Sequence, residues 1–113
     1  MRSKGNYGES IAVKYLISNG FIIKKRNYFT PFGEIDIIAK KNNYIHIIEV
    51  KLLSNEYIHT GYKINYRKQR RMINSTMIYM DQYKDHHYYY QFDLVTITGN
   101  QIKHYENIFS CTT

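Results

Sequence analysis

The chain has one cysteine, one proline and no apolar run approaching the length of a membrane span. Each shortage excludes something. Cys111 has no second cysteine to pair with, so nothing points to an oxidising compartment. It also lacks a partner histidine nearby, which argues against a nucleophile. A bilayer-crossing helix needs about 20 consecutive apolar residues, and none is present. The basic start Met1-Arg2-Ser3-Lys4-Gly5 leads into Asn6-Tyr7-Gly8-Glu9 without the apolar core of a signal peptide. A cytoplasmic protein without membrane association is therefore the expectation. Repeats, linkers and low-complexity tracts are missing too; Tyr88-Tyr89-Tyr90 is the nearest approach. With 113 residues, one domain spanning 1–113 is expected. Its folding should bury about two-thirds of the unfolded chain's surface. Acidic residues are also few, 9 against 16 lysines and arginines, for a formal charge of +7. That balance suits a polyanionic partner. The same excess arises from composition alone in an Ile-, Lys-, Asn- and Tyr-rich chain. The 13 tyrosines are equally double-edged, as base-stacking platforms or as half-buried fillers.

The hydrophobic pattern predicts a helix from Asn6 to Asn19, stopped by Gly20. Glu9, Ala12, Val13 and Leu16 share one face at i, i+3, i+4, i+7 spacing, with Glu9 topping an apolar stripe. A short strand from Phe21 to Lys25 and a loop from Asn27 to Phe32 follow. Glu34–Ala39 and Tyr44–Lys51 read as a hairpin turning at Lys40-Lys41-Asn42-Asn43. Period-two alternation puts Glu34, Asp36 and Ile38 on one face, and Ile45, Ile47, Glu49 and Lys51 on one face of the next strand. After a loop from Ser54 to Gly61, Ile64–Met80 reads as a second helix with Tyr66, Gln69, Ile73, Met77 and Met80 inward. Strands at Gln91–Thr98 and Gln101–Tyr105 flank a tight Gly99-Asn100 turn. The order α-β-β-β-α-β-β predicts an α/β protein with a mixed sheet flanked by helices.

Two segments carry candidate chemistry: Gly33-Glu34-Ile35-Asp36 and Glu49-Val50-Lys51. Each places carboxylates in a β-branched run, where burial is costly unless the charge is paired or coordinated. On neighbouring strands, Asp36 and Glu49 are suited to a hard cation such as Mg²⁺ or Mn²⁺, which takes oxygen ligands and keeps several waters. The Val50 carbonyl and a substrate phosphate would complete the shell. Lys51 would orient a water or offset charge on the pentavalent phosphorus. Glu9 reaches the same spot from the first helix, and Glu34 is an outer-sphere acid or a partner of Arg26. The alternative is a structural salt bridge from Lys51 to Asp36 or Glu49. On the second helix, Lys63, Arg67, Lys68, Arg70 and Arg71 form a phosphate-tracking face or a solvated one. The five histidines show no zinc spacing and read as non-ligands. Asp93 reads as structural.

These residues resemble the YraN-like family of small bacterial proteins, assigned to the PD-(D/E)XK, restriction-endonuclease-like superfamily alongside archaeal Holliday-junction resolvases. The resemblance runs from Gly5 to Phe109. It is carried by Gly5, Gly8, Glu9, Ala12, Tyr15, Leu16 and Gly20; by Arg26-Asn27; by Gly33-Glu34-Ile35-Asp36 and Glu49-Val50-Lys51; by Lys68-Gln69-Arg70-Arg71; and by Phe92-Asp93, Ile102, His104, Asn107 and Phe109. It implies a restriction-endonuclease-like fold, with Asp36, Glu49 and Lys51 as metal-binding and catalytic core and Glu9 as the helix acid. It further implies Mg²⁺ or Mn²⁺ as cofactor, DNA (branched forms included) as partner, and a homodimer like those of the resolvases. Lys68, Arg67, Arg70 and Arg71 would then grip the nucleic acid, with Glu34 and Gln69 supporting. Phe29, Leu53 and Gln91 stand where the family pattern usually has arginine. These departures favour an alternative kept beside the endonuclease reading: a nucleic-acid-binding module on the same fold without catalysis.

Overall fold

A computed structural model describes residues 3–54, 64–84 and 86–110. Helix α1 spans Ser3–Ser18. It closes in a Schellman motif, with Gly20 at φ 90°, its N–H on the Ile17 carbonyl and the Phe21 N–H on the Leu16 carbonyl. Only glycine adopts that left-handed backbone without a Cβ penalty, which is why the helix ends there. Strands β1 (Ile22–Thr30), β2 (Gly33–Lys41) and β3 (Tyr44–Leu52) form an antiparallel meander, with left-handed Asn42 in the second turn. Helix α2 (Tyr66–Tyr83) crosses over to β4 (Tyr89–Thr98), which runs parallel to β3 from Tyr44↔Tyr89 to Leu52↔Ile97. Strand β5 (Gln101–Phe109) returns antiparallel on β4. The result is a five-stranded mixed sheet in chain order with the α-β-β-β-α-β-β sequence of elements.

Each helix covers one face. Ala12 and Leu16 of α1 pack on Phe21, Ile37, Ala39, Ile48, Val95 and Ile97. Met72, Ile73 and Tyr79 of α2 pack with Ile35, Ile38, Ile45, Ile47, Phe92 and Leu94. The central strand β3 is buried on both faces, so its near-continuous apolar run is what a parallel-paired strand under two helices requires.

Four expectations change. Strand β1 does not stop at Lys25; pairing with β2 continues through Tyr28↔Ile35 to Thr30↔Gly33, across the segment read as a loop. The loop signal, Asn27, does take a left-handed backbone (φ 52°), but within the strand. Helix α2 is rotated from the expected orientation: Met72, Ile73, Ser75, Thr76 and Tyr79 are buried, while Tyr66 and Met77 are exposed. Strand β5 runs on past Tyr105 to Phe109. The anticipated Ser54–Gly61 loop and Lys63 lie almost wholly outside the described residues, as does Cys111.

The fourth change shapes the site. Ile35 packs on the α2 side and Ile37 on the α1 side, although strict alternation would give them one face. The hairpin therefore rolls over at Asp36, one register step from left-handed Asn27. The distal hairpin is fastened in this orientation by Thr30 Oγ1 to Ser75 Oγ (2.7 Å) and by Tyr28 OH donating to Gln82 Oε1 (2.6 Å). Asn27→Gly, which keeps the left-handed backbone without a Cβ penalty, is expected to be less destabilising than a β-branched replacement. Asn27→Val, which puts a β-branched side chain on a left-handed backbone, should cost about 1–2 kcal/mol in urea denaturation.

Candidate active site

Past Ile37↔Ile48 the β2–β3 ladder ends, and the Val50 N–H is bonded instead by the Asp36 carboxylate, Oδ2 at 2.8 Å. A side chain thus does the work of a main-chain carbonyl, and the strands part where it does so. The gap admits acids from both faces of the sheet. Glu9, buried on the first-helix stripe, meets Glu34 and Asp36 so that one oxygen of each lies within 4.8 Å of the others. Glu49, buried on β3, comes within hydrogen-bonding reach of Asp36. Asp36 thus stands between Glu9 and Glu34 on one hand and Glu49 on the other.

The ammonium groups are arranged differently from the expectation. Lys51 is half-buried and close enough to favour the ionised form of Glu49. The ion pair, however, is made by Lys68, whose Nζ lies 3.4 Å from Glu49 Oε2. Lys68, which the sequence puts on a phosphate-tracking or solvated face, sits in the first turn of α2 with its ammonium at Glu49. Its backbone is fixed by the cap, in which the Lys68 N–H donates to Asn65 Oδ1 at 2.8 Å. Gln69, expected as a supporting site residue, donates through Nε2 to the Ile64 carbonyl at 2.9 Å and so braces the helix start. Arg67, Arg70 and Arg71 remain exposed on the same helix. Arg26 donates to Ser10 Oγ at 3.3 Å, tying β1 to α1 beside Glu9.

The matched family model, described as Uncharacterised protein family UPF0102, covers residues 8–97. A UPF0102 protein of Thermodesulfovibrio yellowstonii is 42% identical over 106 residues, covering 93% of this chain and 94% of the relative. One from Campylobacter fetus is 41% identical over 104 residues (92% and 91% of the two chains), and one from Clostridium tetani 39% over 97 residues (85% and 80%). The chain belongs to the UPF0102 family. The YraN-like resemblance read from the motifs is the same family, which falls in the PD-(D/E)XK-like nuclease superfamily. The matched span takes in Glu9, Glu34, Asp36, Glu49, Lys51 and the first turn of α2.

Electrostatics in this UPF0102 site follow from burial. Burial raises the Asp36 carboxyl above its ordinary range, against the lowering effect of the Val50 N–H. Burial first, and then the neighbouring Asp36 charge, raise Glu49 from 4.5 to about 7, with Lys68 and Lys51 pulling the other way. Two such acids titrate as a pair, and burial favours a proton on one of them. A proton in that position stands where a cation would be welcome, and the all-oxygen donor set is the kind Mg²⁺ and Mn²⁺ take. Glu9 Oε1 is buried and receives no hydrogen bond among the described residues, which fits the same donor set.

The sign of the linkage is definite. Glu49 has a folded-state value above its unfolded one, so its stabilising contribution is full below pH 4.5 and is lost as pH rises towards about 7. In chelator, the melting temperature should therefore fall across that interval. Glu49→Gln, which keeps the hydrogen bond without the charge, should flatten the slope and raise the neutral-pH melting temperature by roughly 4 °C for each kcal/mol recovered. Mg²⁺ added above neutrality should restore the wild type and leave the variant unchanged, as thermal melts in the presence and absence of the ion will show.

Proposed function

We propose that the chain is a divalent-metal-dependent endonuclease that hydrolyses DNA phosphodiesters, branched or otherwise structured DNA among them. The observation that carries this reading is Asp36 at the opened end of β2–β3, with Glu9 and Glu34 within 4.8 Å of it and Glu49, flanked by two lysines, in hydrogen-bonding reach of it. Two buried acids raised above their ordinary values favour binding of a positive charge, which a divalent cation would supply. Membership of a PD-(D/E)XK-like family supports the same chemistry without naming the substrate.

Asp36 and Glu49 would hold the ion, with Glu9 and Glu34 binding it through water. The ion, when bound, would polarise a phosphoryl oxygen and lower the pKa of a water. Lys51 would lie against the scissile phosphate and offset its growing negative charge. Lys68, freed from Glu49 by the ion's charge, would offer a second ammonium to the same phosphate. Arg67, Arg70 and Arg71 would follow the backbone beyond it, each contact adding about one unit to the salt slope of binding.

The test is cleavage of duplex, single-stranded, flap and four-way DNA with Mg²⁺ or Mn²⁺. Cleavage of at least one form is expected, reduced about 100-fold or more in Asp36→Ala and Lys51→Ala. No cleavage of any form, or equal cleavage by the variants, would overturn the reading. Lys68→Met is expected to cut as poorly as Lys51→Met while still folding. Arg70→Ala with Arg71→Ala should weaken DNA binding most at low salt and reduce the salt slope by about two units, as fluorescence anisotropy across a salt series would measure.

A further inference from the structure

Outside the carboxylate site, three strands bring a second set of donors together. His46 of β3, Asp93 of β4 and His104 of β5 offer one ligand atom each, all within 4.8 Å of one another. His46 Nδ1 lies 2.6 Å and His104 Nε2 2.8 Å from the same oxygen, Asp93 Oδ2. All three side chains are more than nine-tenths buried, at 5%, 0% and 8% exposure. The other oxygen, Asp93 Oδ1, is fixed by the Asn107 N–H and by Gln91 Nε2, both at 2.9 Å. Gln91 also donates to Glu106 Oε1 at 3.2 Å, which stands 3.9 Å from His46 Nδ1. The Phe21 ring meets His46 edge-on at 4.8 Å between centroids.

We propose that His46, Asp93 and His104 form a binding site for a borderline transition-metal ion such as Zn²⁺, with Glu106 within reach as a fourth ligand. The donor set is two imidazoles and a carboxylate, which such ions take and Mg²⁺ does not favour. Two donors each about 2.1 Å from a tetrahedral ion lie roughly 3.4 Å apart, so each ring needs to part from Asp93 by roughly 0.6 to 0.8 Å. A carboxylate oriented through its other oxygen by a main-chain N–H and an amide is what outer-shell support of a metal ligand consists of. One side is open: a cavity of about 290 Å³, lined in part by His46, Gln91, Glu106, Lys41 and Tyr44, leaves room for a water or a further ligand. The expectation that all histidines are non-ligands rested on local spacing, which cannot register donors from three different strands.

The probes are Zn²⁺ and Co²⁺ alone, added to the full chain in excess Mg²⁺ so that the Asp36 site is masked. One equivalent should bind by calorimetry, and Co²⁺ should give the visible spectrum of a nitrogen-ligated ion of low coordination number. His104→Asn and His46→Gln should weaken binding by roughly 100-fold, while Asp36→Asn and Glu49→Gln leave it unchanged. Should a variant fail to fold, the wild type decides by itself. Zn²⁺ should shift the ring ¹⁵N resonances of His46 and His104 and spare the exposed His86 and His87. Absence of stoichiometric binding, or binding indifferent to both histidines, would mean a purely hydrogen-bonded clamp and overturn the proposal. These outcomes do not depend on nuclease activity.

Discussion

One hydrogen bond organises the candidate site: the Val50 N–H donating to the Asp36 carboxylate where a main-chain carbonyl would ordinarily accept. It satisfies a buried donor, so strands β2 and β3 can part at Ile37↔Ile48 without leaving an orphaned amide. At the parted strands Asp36 has Glu9 and Glu34 on one hand and Glu49 on the other. Glu9 arrives from the α1 side and Glu49 with Lys68 from the α2 side. The roll of the hairpin, which turns Ile35 and Ile37 to opposite faces, is the backbone counterpart of the same event.

The charges follow from that geometry. Closely set carboxylates out of water repel one another and lose hydration, which is why burial and the Asp36 charge push Glu49 up to about 7. Lys68 offsets part of that cost through its 3.4 Å ion pair, and it can do so because Asn65 caps α2 and fixes its first turn against the sheet. Asp93 shows the opposite outcome. Burial alone would raise it, yet bonds from His104, His46, the Asn107 N–H and Gln91 outweigh burial and hold it below the usual carboxylate range. One buried acid, Asp93, is thus held ionised by its partners, while burial favours the protonated forms of Asp36 and Glu49.

How much of this was legible in the sequence depends on the range of each signal. The end of α1 at Gly20, the turn at Asn42 and the pairing of the two acidic strands rest on local chemistry, and the structure has them as read. The continuation of β1 past Asn27 was hidden because asparagine marks a left-handed backbone without saying whether a strand resumes. The inward face of α2 was misread because Tyr66 and Met77, though apolar, lie on the solvent side, while Ser75 and Thr76 are buried: Ser75 bonds Thr30, and Thr76 the Met72 carbonyl. Lys68 looked like one more cation in a basic run; only the cap and the crossover aim it at Glu49. Of the three arginines missing from the family pattern, the Gln91 position has an account, since its amide is committed to Asp93 and Glu106.

The central claim is that the Asp36–Glu49 pair holds a divalent ion in place of a shared proton. Titration of the metal-free protein with Mn²⁺, followed by the loss of free-ion electron paramagnetic resonance, tests it without any substrate. Binding that tightens as pH rises through about 7 and is abolished by Asp36→Asn is predicted. Binding that is independent of pH across that range, or that survives Asp36→Asn and Glu49→Gln, would contradict it.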